Sequence, residues 1–437
     1  MLRKLNMAII GTGRMASVMA ETVRKVRGVR LYAAASRNAS RASEFGEKYG
    51  FKKMYGSYED MVLDPKVDFV YIATPHSEHY ENAKLCLTNG KPVLMEKAFT
   101  LNAQQAQELY DIAESRNLLL AEAMWVRYMP MVKTIREILD SRVIGDPVML
   151  TANLGYNLRR KQRLVDPALG GGTLLDLGVY PLNFAAMFFG HEICEVSAAC
   201  TYTKEHLDEQ ESITLKYWSG RMAVLTASMA GISDRKGIIT CTKGHMIVEN
   251  INNYESVTVY DLDNKQIAHH KRPKQHTGYE YEVEAFAKAL KQGAVECEEM
   301  PRSETIALLQ LMDEIRRQFG VVYPGESAQA LPAAPAVTEP AVPALEAAVP
   351  AAPVLETTAP VVTEPAAPAA VEAAAPAAAE PAPEAPAEPA PAAASEAVQE
   401  VIEQAADAEA AAEESILETS EIMTQETEQM SEAQLWD

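Results

Sequence analysis

Apolar positions in the first third of the chain alternate between short continuous runs and helical stripes. "LNMAII" (5–10) is a run of strand length. After "GTGRMA", the residues Met15, Val18, Met19, Thr22, Val23 and Val26 recur at the spacing of one helix face. "VRLYAAAS" (29–36), "VDFVYIAT" (67–74) and "PVLMEK" (92–97) repeat the strand pattern, each separated by a helical stretch. Strands alternating with helices predict a parallel sheet covered by helices, an α/β fold.

The rhythm changes near Asp146. "DPVMLTANLGY" reads as a strand, and "GGGTLLDLGVYPLNF" (170–184) as a glycine-led helix. "ESITLKYWSGRMAVLTASM" and "GIITCTKGHMIVENI" alternate with period two, each broken by a short Gly-containing turn, and predict antiparallel hairpins. Two helices follow, over 281–290 and 304–319. The second half therefore predicts an α/β domain with an open, mostly antiparallel sheet. No uninterrupted apolar run approaches the length of a membrane span. The N-terminal apolar run is too short for a signal peptide and stops at "GTG".

Composition divides the chain a second time. Of its 61 acidic residues 21 lie from Ala328 onward, where none of the 40 basic ones does. The body is thus neutral and the whole −21 charge belongs to the tail, which excludes a basic footprint for nucleic acid. Recurring proline and a lack of apolar bulk predict a disordered, extended Ala/Pro/Glu-rich spacer, with a short helix after Ser395 where the prolines stop. The expected domains are 1–123, 124–326 and the tail 327–437. The five cysteines are widely spaced without a C-x-x-C pair, which excludes a zinc ribbon and fits a cytoplasmic protein.

Candidate chemistry sits at the ends of the predicted strands. Gly11-x-Gly13-x-x-Ala16 follows a strand and opens a helix, so Gly11, Gly13, Arg14 and Met15 would cradle a pyrophosphate on free backbone N–H groups. At the end of the next strand, NAD-preferring folds place an acid for the ribose hydroxyls. This chain has Ser36 and Arg37, with Arg41 one turn on, which favours the 2′-phosphate of NADP(H), with NAD(H) as the alternative. A solvated surface arginine is the competing reading of Arg37. Thr74, His76 and His79 in "ATPHSEHY" follow a third strand; a loop bordering the cofactor cleft outweighs a metal site, since no third ligand is near. Glu96 and Lys97 end a fourth strand and point to the same crevice, where a lysine can exchange a proton with a substrate hydroxyl; a surface ion pair is the alternative. Asp176 and Tyr180, four apart, share a helix face.

Together these motifs, in this order, make the chain resemble the glucose–fructose oxidoreductase/inositol dehydrogenase (Gfo/Idh/MocA) family over roughly Leu5 to Tyr323. "EKA" (96–98), "EAMWVRYMP" (122–130) and "GGGTLLDLGVYPLNF" are most similar to the dimeric dihydrodiol dehydrogenases and NADP-dependent D-xylose dehydrogenases. The resemblance implies that Lys97 and Tyr180 form an acid–base pair, with the lysine charge lowering the phenol pKa, and that Asp176 orients substrate. Trp125 would wall the nicotinamide and substrate, and Arg127 would reach the cofactor phosphates or lie at the surface. Packed structural roles for Tyr180 and Asp176 compete with these. The usual proline after Glu-Lys is Ala98 here, and "NLRRKQRLVDP" (157–167) is strongly basic. That loop is either a solvated surface or a sign of a polar or anionic substrate.

The expectation is an NADP(H)-dependent oxidoreductase acting on a secondary alcohol or carbonyl of a sugar, cyclitol or similar polyol. A homodimer through the second sheet is expected, with no metal, membrane or nucleic-acid partner. The alternative is a non-catalytic NADP(H) sensor or scaffold working through its acidic tail.

Overall fold

The computed structural model describes residues 3–326. The expectations for 327–437, the extended spacer and the helix after Ser395, lie outside the described residues.

The first sheet is six-stranded and parallel, in the order β3-β2-β1-β4-β5-β6. Its strands are β1 (Leu5–Ile10), β2 (Val29–Ala35), β3 (Lys53–Tyr55), β4 (Phe69–Ile72), β5 (Val93–Glu96) and β6 (Leu120–Ala123). Between them run α1 (Arg14–Val23), α2 (Ala39–Tyr49), α3 (Tyr58–Val62), α4 (His79–Thr88) and α5 (Ala103–Ser115). β4, β5 and β6 are buried along their whole length, as expected for strands with helices on both faces. Helix boundaries follow local chemistry. Asn38 caps α2 by accepting from the Arg41 N–H at 3.1 Å, and Gly50 ends it in the left-handed region at φ 75°. Asn102 caps α5 in the same way. The strand order reverses between β1 and β4, which opens a crevice at the carboxyl edge of the sheet.

The second sheet has eight strands in the order β14-β13-β12-β11-β7-β10-β9-β8. α6 (Pro130–Asp140) leads to β7 (Pro147–Gly155), and α7 (Gln162–Val165) and a π-helical turn (Leu174–Gly178) lead to α8 (Val179–Phe189). Then come β8 (Ile193–Tyr202), β9 (Asp208–Tyr217), β10 (Met222–Ser228), β11 (Gly237–Cys241), β12 (Gly244–Glu249), β13 (Ser256–Asp261) and β14 (Gln266–Lys271). Both predicted hairpins, β9–β10 and β11–β12, are antiparallel, and the one parallel pairing is β7 with β10. β12 alternates strictly between buried and half-buried positions, so one face is core and the other is not.

Every residue of α8 is buried, which explains its apolar character on all sides. The segment 167–189, interrupted by Asp176, is long and apolar enough to cross a membrane by length and composition, but 94% of its most apolar window is buried, so it is a core helix. The chain then returns to the first sheet. α9 (Glu280–Gln292) sets Phe286 against Phe69 of β4, with ring centroids 5.0 Å apart, and α10 (Arg302–Phe319) lies against α5 and β8.

Candidate active site

The site is assembled at the carboxyl edge of the first sheet. β1 ends in the glycine turn. Gly11 has φ +100°, and a Cβ there would lie 2.5 Å from the carbonyl oxygen of Ala73, so only glycine lets the turn pass β4. Gly13 caps α1 with extended backbone, no side-chain cap and nothing within 4 Å of where a Cβ would stand. The first turn of α1 holds no acidic residue, and Gly13 and Arg14 are exposed while Met15 is half-buried. Free N–H groups at a helix start, facing open space, are an anion cradle. The residues present therefore fit the pyrophosphate of a dinucleotide.

One strand over, Ser36 follows β2, buried, with its hydroxyl accepting from the Asn38 N–H at 3.2 Å. Arg37 and Arg41 are exposed beside it. Arg37 meets Glu78 at 3.3 Å across the crevice, a loose surface pair that leaves the guanidinium available to a phosphate.

The third strand end brings chemistry from two distant parts of the chain together. Lys97 follows β5, and its ammonium donates to the backbone carbonyl of Asp176 at 2.6 Å and to its carboxylate at 2.9 Å. The peptide bond from Lys97 to Ala98 is cis. The same ammonium stands 5.1 Å from the ring centroid of Tyr180. Arg163, from the basic loop, closes on Asp176 from the other side at 3.0 Å. Burial opposes the charge on Asp176, but Lys97 and Arg163 together overcome it and hold the carboxyl far below the usual range. Lys97 is mostly buried, so the alternative of a surface ion pair does not apply to it.

Tyr180 is buried, and its phenolic oxygen accepts from the indole N–H of Trp125 at 3.0 Å. That bond occupies a lone pair and leaves the O–H free to donate elsewhere. The net pKa of Tyr180 is raised rather than lowered. Burial pushes the phenol well above its ordinary value, the Trp125 hydrogen bond works against that, and Glu96 and Asp176 add to the rise. Glu96 is itself buried, accepts from the Tyr71 hydroxyl, and is raised by burial to about 7.

The remaining expected residues divide. His76 is buried; its Nδ1 faces the Gly170 carbonyl at 2.8 Å and therefore carries the proton. Burial, then His79 and Lys97, lowers its pKa to about 3, so the imidazole is neutral at the edge of the lysine–aspartate pair. His79 is fixed between the carbonyls of Ala98 at 2.9 Å and Thr74 at 3.0 Å, tying the loops after β4 and β5 together rather than facing the crevice. The Thr74 hydroxyl accepts from Asn82 at 3.2 Å. Arg127 is not brought to the cradle: its guanidinium is buried, bonded to Asn183 at 2.6 Å and Glu304 at 2.6 Å. Among the described residues no cluster of His, Cys, Asp and Glu could hold a metal.

Two site residues were not singled out from sequence. Arg163 was legible only as part of a basic loop. Tyr279 gave no signal: it stacks flat on Trp125 with centroids 4.0 Å apart and an interplanar angle of 10°, because the return of the chain toward α9 crosses the site.

A family model described as an oxidoreductase family with NAD-binding Rossmann fold matches residues 5–124, and the GFO/IDH/MocA C-terminal domain matches 132–247. A trans-1,2-dihydrobenzene-1,2-diol dehydrogenase of Xenopus tropicalis is 34% identical over 302 residues, covering 67% of this chain and 91% of that protein. The human enzyme of that name is 33% identical over 300 residues, covering 67% and 90%. A 3-ketoreductase from Actinomadura kijaniata, solved with NADP and TDP-benzene, is 25% identical with a TM-score of 0.67 over 72% of this chain and 97% of that one. An aldose–aldose oxidoreductase from Caulobacter crescentus, 20% identical with a TM-score of 0.67 over 73% and 98%, shares the fold.

Proposed function

The chain belongs to the Gfo/Idh/MocA oxidoreductase family, and we propose that it is an NADP(H)-dependent enzyme acting on a secondary alcohol or carbonyl of a sugar, cyclitol or related polyol. That it is an NAD(P)-dependent dehydrogenase or reductase follows from its relatives. The observation that carries the finer reading is the convergence of Lys97, Asp176 and Tyr180 beside the glycine cradle.

A nicotinamide dinucleotide bound in the cradle supplies reversible hydride transfer at its ring C4. Gly11, Gly13 and the start of α1 hold the pyrophosphate, while Ser36, Arg37 and Arg41 receive the 2′-phosphate. Tyr180 holds its proton at neutral pH and donates it from Oη to a substrate carbonyl oxygen; in the alcohol-oxidising direction the step starts from the phenolate, whose oxygen takes the alcohol proton. Trp125 fixes that oxygen through its indole N–H. Lys97 places a positive charge where negative charge develops on the substrate oxygen. Asp176 holds Lys97 and Arg163 in place and offers its carboxylate to a neighbouring hydroxyl.

Polarity supports the substrate class. An ammonium, a guanidinium and a carboxylate line one wall, a poor surface for an unsubstituted aromatic ring and a good one for hydroxyls. The uncovered face of the second sheet, with Val224, Ile238 and Ile247 half-buried, supports a homodimer. Five free thiols support a reducing, cytoplasmic setting.

The test is cofactor-coupled turnover of the purified full chain with NADP⁺ and NAD⁺ in parallel, against aldoses, inositols, sugar acids and aromatic dihydrodiols, in both directions. Turnover of a polyol with NADP⁺ preferred is the expected result. Tight NADP(H) binding without turnover of any member overturns the reading in favour of a sensor.

A further inference from the structure

The π-helical turn that carries Asp176 rests against two buried carboxyls that the proposed reaction does not use. Both lie on β9. Asp208 accepts from the Leu174 N–H at 2.6 Å, at the start of the turn. Beside it the Thr173 hydroxyl donates to the Glu209 carbonyl at 2.7 Å, and the Tyr323 hydroxyl donates to the Gly171 carbonyl at 2.6 Å. Two glycines of this segment lie close against these carboxyls. A Cβ on Gly172 would lie 2.4 Å from Oδ1 of Asp208, and one on Gly178 would lie 1.9 Å from Oε1 of Glu211.

The second oxygen of Asp208 and both oxygens of Glu211 are buried without a hydrogen-bond partner. A bare carboxylate is most costly at Glu211, which keeps its proton. Burial and then Asp208 push Glu211 well above the ordinary carboxyl range, and burial lifts Asp208 to about 6. Glu211 is thus a neutral acid packed against Gly178, two residues before Tyr180 and two after Asp176.

We propose that Asp208 and Glu211 are positioning residues: they hold the π-helical turn from β9 and thereby set Asp176 and Tyr180 against Lys97. A π-helical turn has few intrinsic restraints and recurs at functional sites. Here an acceptor meets its first N–H, and a carboxyl packs against its last glycine. The inference rests on the catalytic reading above for its kinetic consequence and on geometry alone for its structural one.

The experiment compares Asp208→Ala, Asp208→Asn, Glu211→Ala and Glu211→Gln in the full chain. Two properties are read: deuterium exchange of the 170–184 segment, and kcat, KM and NADP⁺ Kd. Asp208→Ala and Glu211→Ala should exchange about ten-fold faster across 170–184, with the first sheet unchanged. Their kcat should fall on the order of 10²-fold, with KM and cofactor Kd within about three-fold of the parent. Asp208→Asn keeps the acceptor and Glu211→Gln keeps the neutral shape, so both should restore exchange and kcat. Unchanged exchange in both alanine variants overturns the proposal, as does failure of both conservative variants to rescue. If the parent shows no turnover, the exchange arm still decides the proposal, and the reaction reading alone is at fault.

Discussion

Lys97 and Asp176 meet twice: one ammonium donates to both the backbone carbonyl and the carboxylate of the same aspartate, at 2.6 and 2.9 Å. The double contact fixes the lysine head between the end of β5 and the π-helical turn. Lys97→Met removes the charge and keeps the stem. Its kcat is expected to fall by about 10²–10⁴-fold, with NADP⁺ affinity within a few-fold, since the cradle lies on β1. Steady-state kinetics and a fluorescence titration of cofactor check this.

The cradle makes opposite demands at its two glycines. Gly11→Ala forces a side chain into a φ of +100° and against the Ala73 carbonyl, at a cost of about 1–3 kcal/mol or more, so thermal stability falls. Gly13→Ala adds a methyl group into open space at φ −83°, so the fold is kept. The methyl then occupies the volume of a pyrophosphate, and cofactor affinity should fall about ten-fold or more. Melting curves with and without NADP⁺ separate the two.

Cofactor choice is expected to follow Arg37. Arg37→Ala gives up one charge-assisted contact to the 2′-phosphate, worth about 1.5–3 kcal/mol, so KM for NADP⁺ rises roughly ten-fold or more while KM for NAD⁺ stays put. The exposed pair with Glu78 contributes little, and melting temperature should not move.

A pH dependence of stability follows from Glu122 on β6. It is buried, accepts from the Thr305 hydroxyl at 2.9 Å, and is raised by burial to about 7. A glutamate that titrates near 4.3 when unfolded binds its proton more tightly in the folded state. Stability therefore falls as pH rises between the two values and levels off above the folded one, by about 3 kcal/mol from this group. Glu122→Gln keeps the acceptor for Thr305 and removes the proton. Denaturant midpoints from pH 4.5 to 8 should fall less steeply in the variant.

Much of this was legible in the sequence because strand and helix periods were clean where burial is two-sided or strictly alternating, as in β1, α1 and the two hairpins. The edge strand β3, only three residues long, and β14, largely exposed, left no such pattern. β6, "LAEA", places a glutamate in a fully buried strand, and only the tertiary contact with Thr305 explains it. Lys97, Asp176 and Tyr180 could be singled out by motif, but their mutual geometry could not. The helix expected over 170–184 opens as a π-helical turn, whose form depends on carboxyls reaching in from β9. Tyr279 depends wholly on a distant return of the chain. Arg127 sits in a motif that implied a reach to the cofactor phosphates or a place at the surface, yet its guanidinium bonds inward to Asn183 and Glu304.

In the proposed reaction Tyr180 transfers the proton while Lys97 and Asp176 shape the charge around it. The most direct test compares kcat of Tyr180→Phe with that of the parent on its preferred substrate with NADP⁺, alongside NADP⁺ Kd. The substitution removes one oxygen and leaves the Trp125 N–H unpaired, a stability cost of about 1–3 kcal/mol that folding controls will register. The expected result is a fall in kcat of about 10²–10⁴-fold with cofactor affinity retained. A Tyr180→Phe enzyme that turns over at the parent rate would contradict it, leaving Lys97 as the sole acid–base group.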